Sequence, residues 1–549
     1  MAAHEAPSST ADERFDAALQ RLSALDTSNT RELFGRVVDV LADDREQATS
    51  LLSGLLDLQA QDESAINYGQ FPMRLGRGRG DLNSCLFLMP TMVELLSRHA
   101  DALPPELRQR LDAAARRALV AAQRRWDEEI FDIHRDHKGY TNIFLLYTQA
   151  LLVGGQYYED QRVQRMAAAQ WQRWFNHVAY YGIDEFVSRA YSDVDYEALR
   201  RMHDRAADER MRGQIKLVLD YLVTLQHAVT HPRLKVQVCG SARDYRRSLG
   251  AGAHEPACVG RDGAKEPGTY EPPAAVVEAY RNRRFPYHVR GRATGVPFFY
   301  ESWQSPEATL GSMTGGQYFW QQIHCIAAVG RSENERDLLL LPGSYTIANG
   351  YVHQQQHRAL CVFARRPNTL LRTQRFTADT DLPGAFGDIG LGATDGWQQR
   401  TDGGRLIFTA HGHAVTVDPF VLADKHVRPA ALETVRRDNL RQGGRFHDTP
   451  IDMQEYVFPA DAEWCGCLVQ VTAQDQLPPP VRLSCERGER ALRVREAEGL
   501  DLHLFLQPAG EVTQLYEWDW RTTPLLACPE RTLWPGELAA RVVNGAIDG

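Results

Sequence analysis

The chain has no run of 18 uninterrupted apolar residues, no C-x-x-C pair, no N-x-S/T sequon and no surplus of basic residues, and each absence removes a class of function. Without a long apolar run, no membrane-spanning helix is expected. Lys and Arg number 62 against 71 Asp and Glu, interspersed along the chain, for a net charge of -9. A nucleic-acid binder would carry a basic face and a membrane-surface protein a polybasic segment, so neither partner is expected. The opening residues, MAAHEAPSSTADERFDAAL, hold no basic stretch followed by an apolar one. The expectation is a cytoplasmic protein, or a secreted or periplasmic one whose leader has been removed. Nine cysteines, scattered from Cys85 to Cys528, suit neither a disulfide framework nor a zinc ribbon. Cys465 and Cys467 alternate in WCGCLVQV, which on a strand puts both on one face.

What the chain does have is length and two contrasting periodicities. Its 549 residues are too many for one hydrophobic core. Up to about residue 230 apolar residues recur three and four apart, as in TRELFGRVVDVLADD and REQATSLLSGLLDLQAQ. The spacing predicts helices near 82–100, 105–126, 141–156, 159–181, 192–205 and 207–230, with ALPPE as a turn whose prolines stop one helix and start the next. Successive antiparallel helical hairpins without a fixed repeat predict an (α/α) toroid over 1–285, closed by PAAVVEAYRNRRF. Beyond 286 short β-rich runs follow, among them VPFFYESW, LCVFA, LIFTA, HAVTVDPF and LHLFLQP, separated by Gly, Pro, Asn and Asp. These predict a C-terminal antiparallel β-sandwich over 286–549.

The stretch from His134 to Tyr191 concentrates chemistry. His134 and His137 precede Gly139 and Thr141, a flexible entry and N-cap for a helix whose first turn holds Asn142. Backbone N–H groups and the positive end of the helix dipole gather there, a setting for a sugar carboxylate. IDEFVSRAY then reads as a short extended segment that delivers Tyr191 and Asp193 to the mouth of the next helix. In the second half, Asn349-Gly350 suits a two-residue hairpin joining SYTIA to YVHQQQHRALCVFA. On that strand His353, Gln355 and His357 would share a face. H-x-x-x-H lacks the Glu of the helical zinc motif and sits in a β setting, so no metal and no cofactor are expected. Arg74, Arg77 and Arg79 in MRLGRGRG form a candidate carboxylate clamp.

A helical domain, an Asn at a helix start, a tyrosine about fifty residues later and a histidine in a β domain resemble the polysaccharide lyases of the heparinase II/III and alginate lyase kind. Asn142 matches the Asn, Tyr191 the tyrosine, and His353 or His357 the histidine. The chain departs from the pattern at Ile143, where those lyases carry a histidine after the Asn. The resemblance implies β-elimination beside a uronic acid in an acidic oligosaccharide or polysaccharide. Tyr191 would then be the acid, base or both, with His134, His137, His353 or His357 as partner. Asn142 and Arg74, Arg77 or Arg79 would neutralise the substrate carboxylate, with Glu185, Gln355 and Trp303 as further substrate contacts.

Two other classes compete. A glycoside hydrolase on the same scaffold needs two carboxylates, and Asp184, Glu185, Asp193 and Glu301 are available. A non-catalytic glycan binder would use Trp171, Trp174, Trp303 and Trp320 as sugar-stacking faces.

Overall fold

The computed structural model describes residues 11–22, 25, 27, 29–75, 82–126, 141–184, 187–188, 191–240, 256, 269–293, 298–314, 323–341, 350–364, 390–423, 426–437, 451–457, 462–488, 491–506, 512–515 and 523–543. It is a mixed structure of helices followed by antiparallel sheets. By contacts the chain divides into two compact units. One holds the described residues up to 126 with 141–175 and 197–215; the other holds those of 176–196 and from 216 onward. Helices give way to strands between Ala274–Arg281 and Tyr287–Ala293, but the second unit also takes in residues 176–196 and the helical 216–229. No helix among the described residues is long and apolar enough to cross a membrane.

In the first unit the helices follow the apolar periodicity closely, because i to i+4 bonding is local. Asp44 caps Arg45–Asp57 by accepting from the Gln47 amide at 2.9 Å. Thr141–Tyr157 is the exception to amphipathicity: its first 15 residues are all buried, and Ser84–Arg98 and Pro105–Trp126 pack against it. A helix apolar on every side belongs inside a helical layer rather than at its surface. Trp171 and Trp174 are 1% and 2% exposed; Trp171 Nε1 donates to Gln214 Oε1 at 2.8 Å, and Trp174 stacks on Phe144. These two tryptophans are core, the commoner place for large aromatics, and are not available as sugar platforms; Trp320 lies outside the described residues.

Among the described residues of the second unit, ten antiparallel strands form one sheet, seven a second, four a third and two a short fourth. Leu310, Ala327 and Leu339 from the ten-stranded sheet share a core with Cys361, Phe363, Val415, Cys465, Cys467 and Val469 from the seven-stranded one. The opposite face of the seven-stranded sheet, through Leu360, Val362 and Leu468, packs on Leu492, Val494 and Leu502 of the four-stranded sheet. Being covered on both faces explains why ALCVFA and WCGCLV are apolar at every position instead of alternating. Cross-strand pairs set the register, with Cys361 opposite Cys467 and Leu360 opposite Leu468. Arg283 ties the helix Glu209–Val229 to the ten-stranded sheet: its guanidinium donates to the carbonyls of His227 and Thr230, at 2.5 and 2.7 Å, and to Gln304 Oε1 at 2.7 Å. Gly311 is required where Val238 passes: a Cβ there would lie 2.5 Å from the Val238 carbonyl oxygen.

Candidate active site

Tyr191 is positioned by a short pinned segment in the second unit. The helix Gln161–Tyr181 stops at Gly182, whose φ of 79° only glycine adopts without strain and whose amide donates to the Val178 carbonyl at 2.9 Å. The chain doubles back so that the Asp184 carboxylate lies 3.0 and 3.1 Å from His177 Nε2 on that helix. Both groups are buried, the imidazole 4% and the carboxylate 1% exposed. Val187 then takes φ 48°, an uncommon conformation for a β-branched residue that costs about 1–3 kcal/mol and persists only where its surroundings enforce it. The Ser188 carbonyl accepts from the amides of Tyr191 at 3.1 Å and Ser192 at 2.8 Å, turning the chain into the helix Ser192–Arg205. Tyr191 is therefore the last residue before that helix, half-buried, with its carbonyl accepting from the Asp195 amide at 2.8 Å. Asp193 and Asp195 occupy the first turn, where the helix dipole favours carboxylates.

The histidines of the sheets are set differently from the expectation. The hairpin expected at Asn349-Gly350 lies outside the described residues, Asn349 being among those not described. The described turn falls at Gln356-His357, between the paired Gln355 and Arg358, with Gln356 at φ 53°. His353 and Gln355 share a face of the strand Gly350–Gln355, but His357 sits in the turn and does not continue that face. The sequence hides this turn because a glutamine, not Gly, Asn or Asp, takes the positive φ.

His353 Nδ1 is 2.9 Å from the Asp501 carbonyl oxygen and 3.0 Å from the Asp501 amide, so this nitrogen docks the strand onto the four-stranded sheet. Burial lowers its pKa, against the opposing pull of the Asp501 contact. The His357 ring lies 5.5 Å from the half-buried Trp303 indole, and its pKa is also lowered, by burial first and then by the Arg358 charge. Both imidazoles are neutral at pH 7, the form able to take a proton. Gln355 is exposed.

Asn142 and Arg74 belong to the first unit. Asn142 is fully buried in the first turn of Thr141–Tyr157, and Arg74 pairs with Asn29 in an isolated bridge. His134, His137, Arg77, Arg79 and Glu185 lie outside the described residues. Among the second unit's candidates the structure brings Trp303 and His357 together and places His353 and Gln355 on one strand. Sequence reasoning missed His177. The available signal was a histidine seven residues before Asp184 with a helix-stopping glycine between them. Among the described residues no group of three His, Cys, Asp or Glu side chains is arranged to hold a metal ion.

No protein-family model matches the chain, and no curated protein matches it. Solved structures do match, along about nine-tenths of its length. Heparinase III is 8% identical, with 92% of this chain and 85% of that one covered and a TM-score of 0.45. Heparan sulfate lyase HepC from Pedobacter heparinus is 9% identical, with 93% and 85% covered and a TM-score of 0.32. Chondroitin AC lyase from Streptomyces coelicolor A3, solved with chondroitin sulphate, is 10% identical, with 94% and 87% covered and a TM-score of 0.38.

Proposed function

We propose that this chain is a polysaccharide or oligosaccharide lyase that breaks a glycosidic bond next to a uronic acid by β-elimination, built as an (α/α) toroid followed by an antiparallel β-sandwich. The observation that carries the reading is the setting of Tyr191: a half-buried phenol at the end of a segment held by the buried His177–Asp184 pair and a strained Val187. Strain and a buried polar clamp in a connecting segment mark a place where geometry is being fixed for chemistry.

The reaction needs three things of the protein. A base removes the C5 proton of the uronate; the electrons form a C4–C5 double bond as the C4–O bond breaks; a proton goes to the departing oxygen. Tyr191 serves as base, acid or both, and a neutral imidazole of His353 or His357 is the partner to test. Charge that builds on the uronate carboxylate must be neutralised, and Asn142 is assigned that role as a hydrogen-bond donor. Uronate oligosaccharides incubated with the protein should gain the ultraviolet absorbance of the C4–C5 double bond. Saturated reducing ends without that absorbance would assign a hydrolase using paired carboxylates instead.

Asn142→Ala gives a second expected result. Losing one donor to developing negative charge should lower kcat by about 10²–10³-fold. The side chain is fully buried, so a melting curve must accompany the kinetics. A variant that stays folded at the assay temperature and keeps full kcat would remove Asn142 from the mechanism.

A further inference from the structure

Arg290, Glu301 and Ser312 stand directly opposite one another on three adjacent strands of the ten-stranded sheet, and His288, Trp303 and Leu310 do so one step along. Directly paired residues in an antiparallel sheet share a face, as do residues two apart on one strand. All six side chains therefore lie on one face. It is the face turned toward the seven-stranded sheet, since Leu310 and Trp303 join the core between them.

Among the described residues the seven-stranded sheet ends there. Its edge strand is Gly350–Gln355. That edge lies over the strand Ala308–Thr314, with the Val352 amide on Thr314 Oγ1 at 2.9 Å and Gln354 Nε2 on the Leu310 carbonyl at 2.9 Å. Phe298–Gln304 and Tyr287–Ala293, the next two strands of the larger sheet, run past this edge. Accordingly Arg290 is exposed, and His288, Glu301, Trp303 and His357 are half-buried.

Glu301 is the titratable group at the centre of this face. Among the described residues its carboxylate has no hydrogen bond and no ion pair, and Arg290 acts on it only at a distance. The carboxyl is half-buried with its oxygens still open to solvent, so it is placed to meet a molecule that comes to this edge. A ligand is the simplest partner for such a group. The chemistry around it suits a sugar: an indole face for C–H groups, a guanidinium for an anion, and a carboxyl and imidazoles for hydroxyls.

We propose that Glu301, Trp303, Arg290 and His357 form a saccharide subsite for an acidic sugar residue. The proposal rests on the lyase reading for its biological ligand but is tested without turnover. Burial raises the Glu301 pKa to about 7, with Arg290 opposing. Below that pH the carboxyl is neutral and can donate to a sugar carboxylate; above it the carboxylate repels one. The other groups facing Glu301 are His288, whose pKa burial lowers, His357, lowered likewise, and Arg292, which donates to the Tyr180 carbonyl. Behind the sheet is the Cys239 thiol, its pKa pushed up by burial and so neutral. None of these gains or loses charge between pH 7 and 8.5, which leaves Glu301 as the group that titrates.

The probes are the methyl glycosides of glucuronic and mannuronic acid, whose C4 carries no sugar and so offers no bond to eliminate, with methyl glucoside as the neutral control. Binding to the full chain is measured by calorimetry at pH 7 and 8.5. An acidic glycoside should bind about tenfold more weakly at pH 8.5, and the neutral one should show no such change. Glu301→Gln should abolish the pH difference without lowering Tm. Trp303→Leu should weaken binding by about threefold to tenfold. If neither acidic glycoside binds, if both variants bind as the unaltered chain does, or if Glu301→Gln lowers Tm at both pH values, the subsite is overturned. The lyase reading then stands or falls separately, on whether the unaltered chain produces the ultraviolet-absorbing double bond.

Discussion

Tyr191→Phe is expected to lower kcat on a uronate polysaccharide by about 10²–10⁴-fold with little change in KM. The substitution removes one hydroxyl and keeps the ring. Tyr191 is half-buried, and the backbone bonds that set it, from its amide to Ser188 and from Asp195 to its carbonyl, do not involve the side chain. Tm should therefore move by no more than about 1 kcal/mol of stability implies. A proton-transferring group acts in the transition state and contributes little to ground-state binding, which is why the loss should fall on kcat. The measurement is initial-rate kinetics followed by double-bond absorbance, with a melting curve on the same preparation. Near-normal kcat would remove Tyr191 from the chemistry and turn attention to the carboxylates Asp184, Glu185 and Asp193.

The helices were legible because their signals are local. Ser84–Arg98, Pro105–Trp126 and Ser192–Arg205 each begin and end within two residues of the positions that periodicity, prolines and caps predict. The sheets were legible only in part. Ala308–Thr314, Cys325–Ser332 and Glu335–Leu341 give no alternation, since the first is buried at every position and the last ends in four buried leucines. A strand covered on both faces has no polar side, and runs of Ala, Gly and Leu carry weak β preference. What makes these segments strands is pairing with neighbours, which a short window of sequence does not contain.

The candidate site divides along the same line. Tyr191 could be found because the helix that follows it announces its own start, with Ser192 and two aspartates in the first turn. The turn at Gln356-His357 could not, because a glutamine holds the positive φ there. Glu301 was visible as a carboxylate in an apolar run, but its raised pKa comes from burial by the sheets around it. That property exists only once strands distant in sequence have come together.

His177→Ala should be the most destabilising of the substitutions considered. The deletion leaves the Asp184 carboxylate, 1% exposed, without the imidazole that lies 3.0 Å away. Removing one member of a buried polar or charged pair typically costs about 3–5 kcal/mol, most of it the penalty on the group left behind. For a unit of this size that corresponds to a fall in Tm of roughly 5 °C. Asp184→Asn should cost less, because an amide can still meet the ring nitrogen. The double variant His177→Ala/Asp184→Ala should lose less than the two alanine singles summed, since neither partner is then stranded. Activity adds the second readout. The pair joins Asp184, ahead of Tyr191, to the helix Gln161–Tyr181, so His177→Ala should lower kcat even below its melting range, where the chain is still folded. Strict additivity in the double variant would show that the two side chains do not stabilise each other, and full kcat in folded His177→Ala would show that Tyr191 does not depend on the pair for its position.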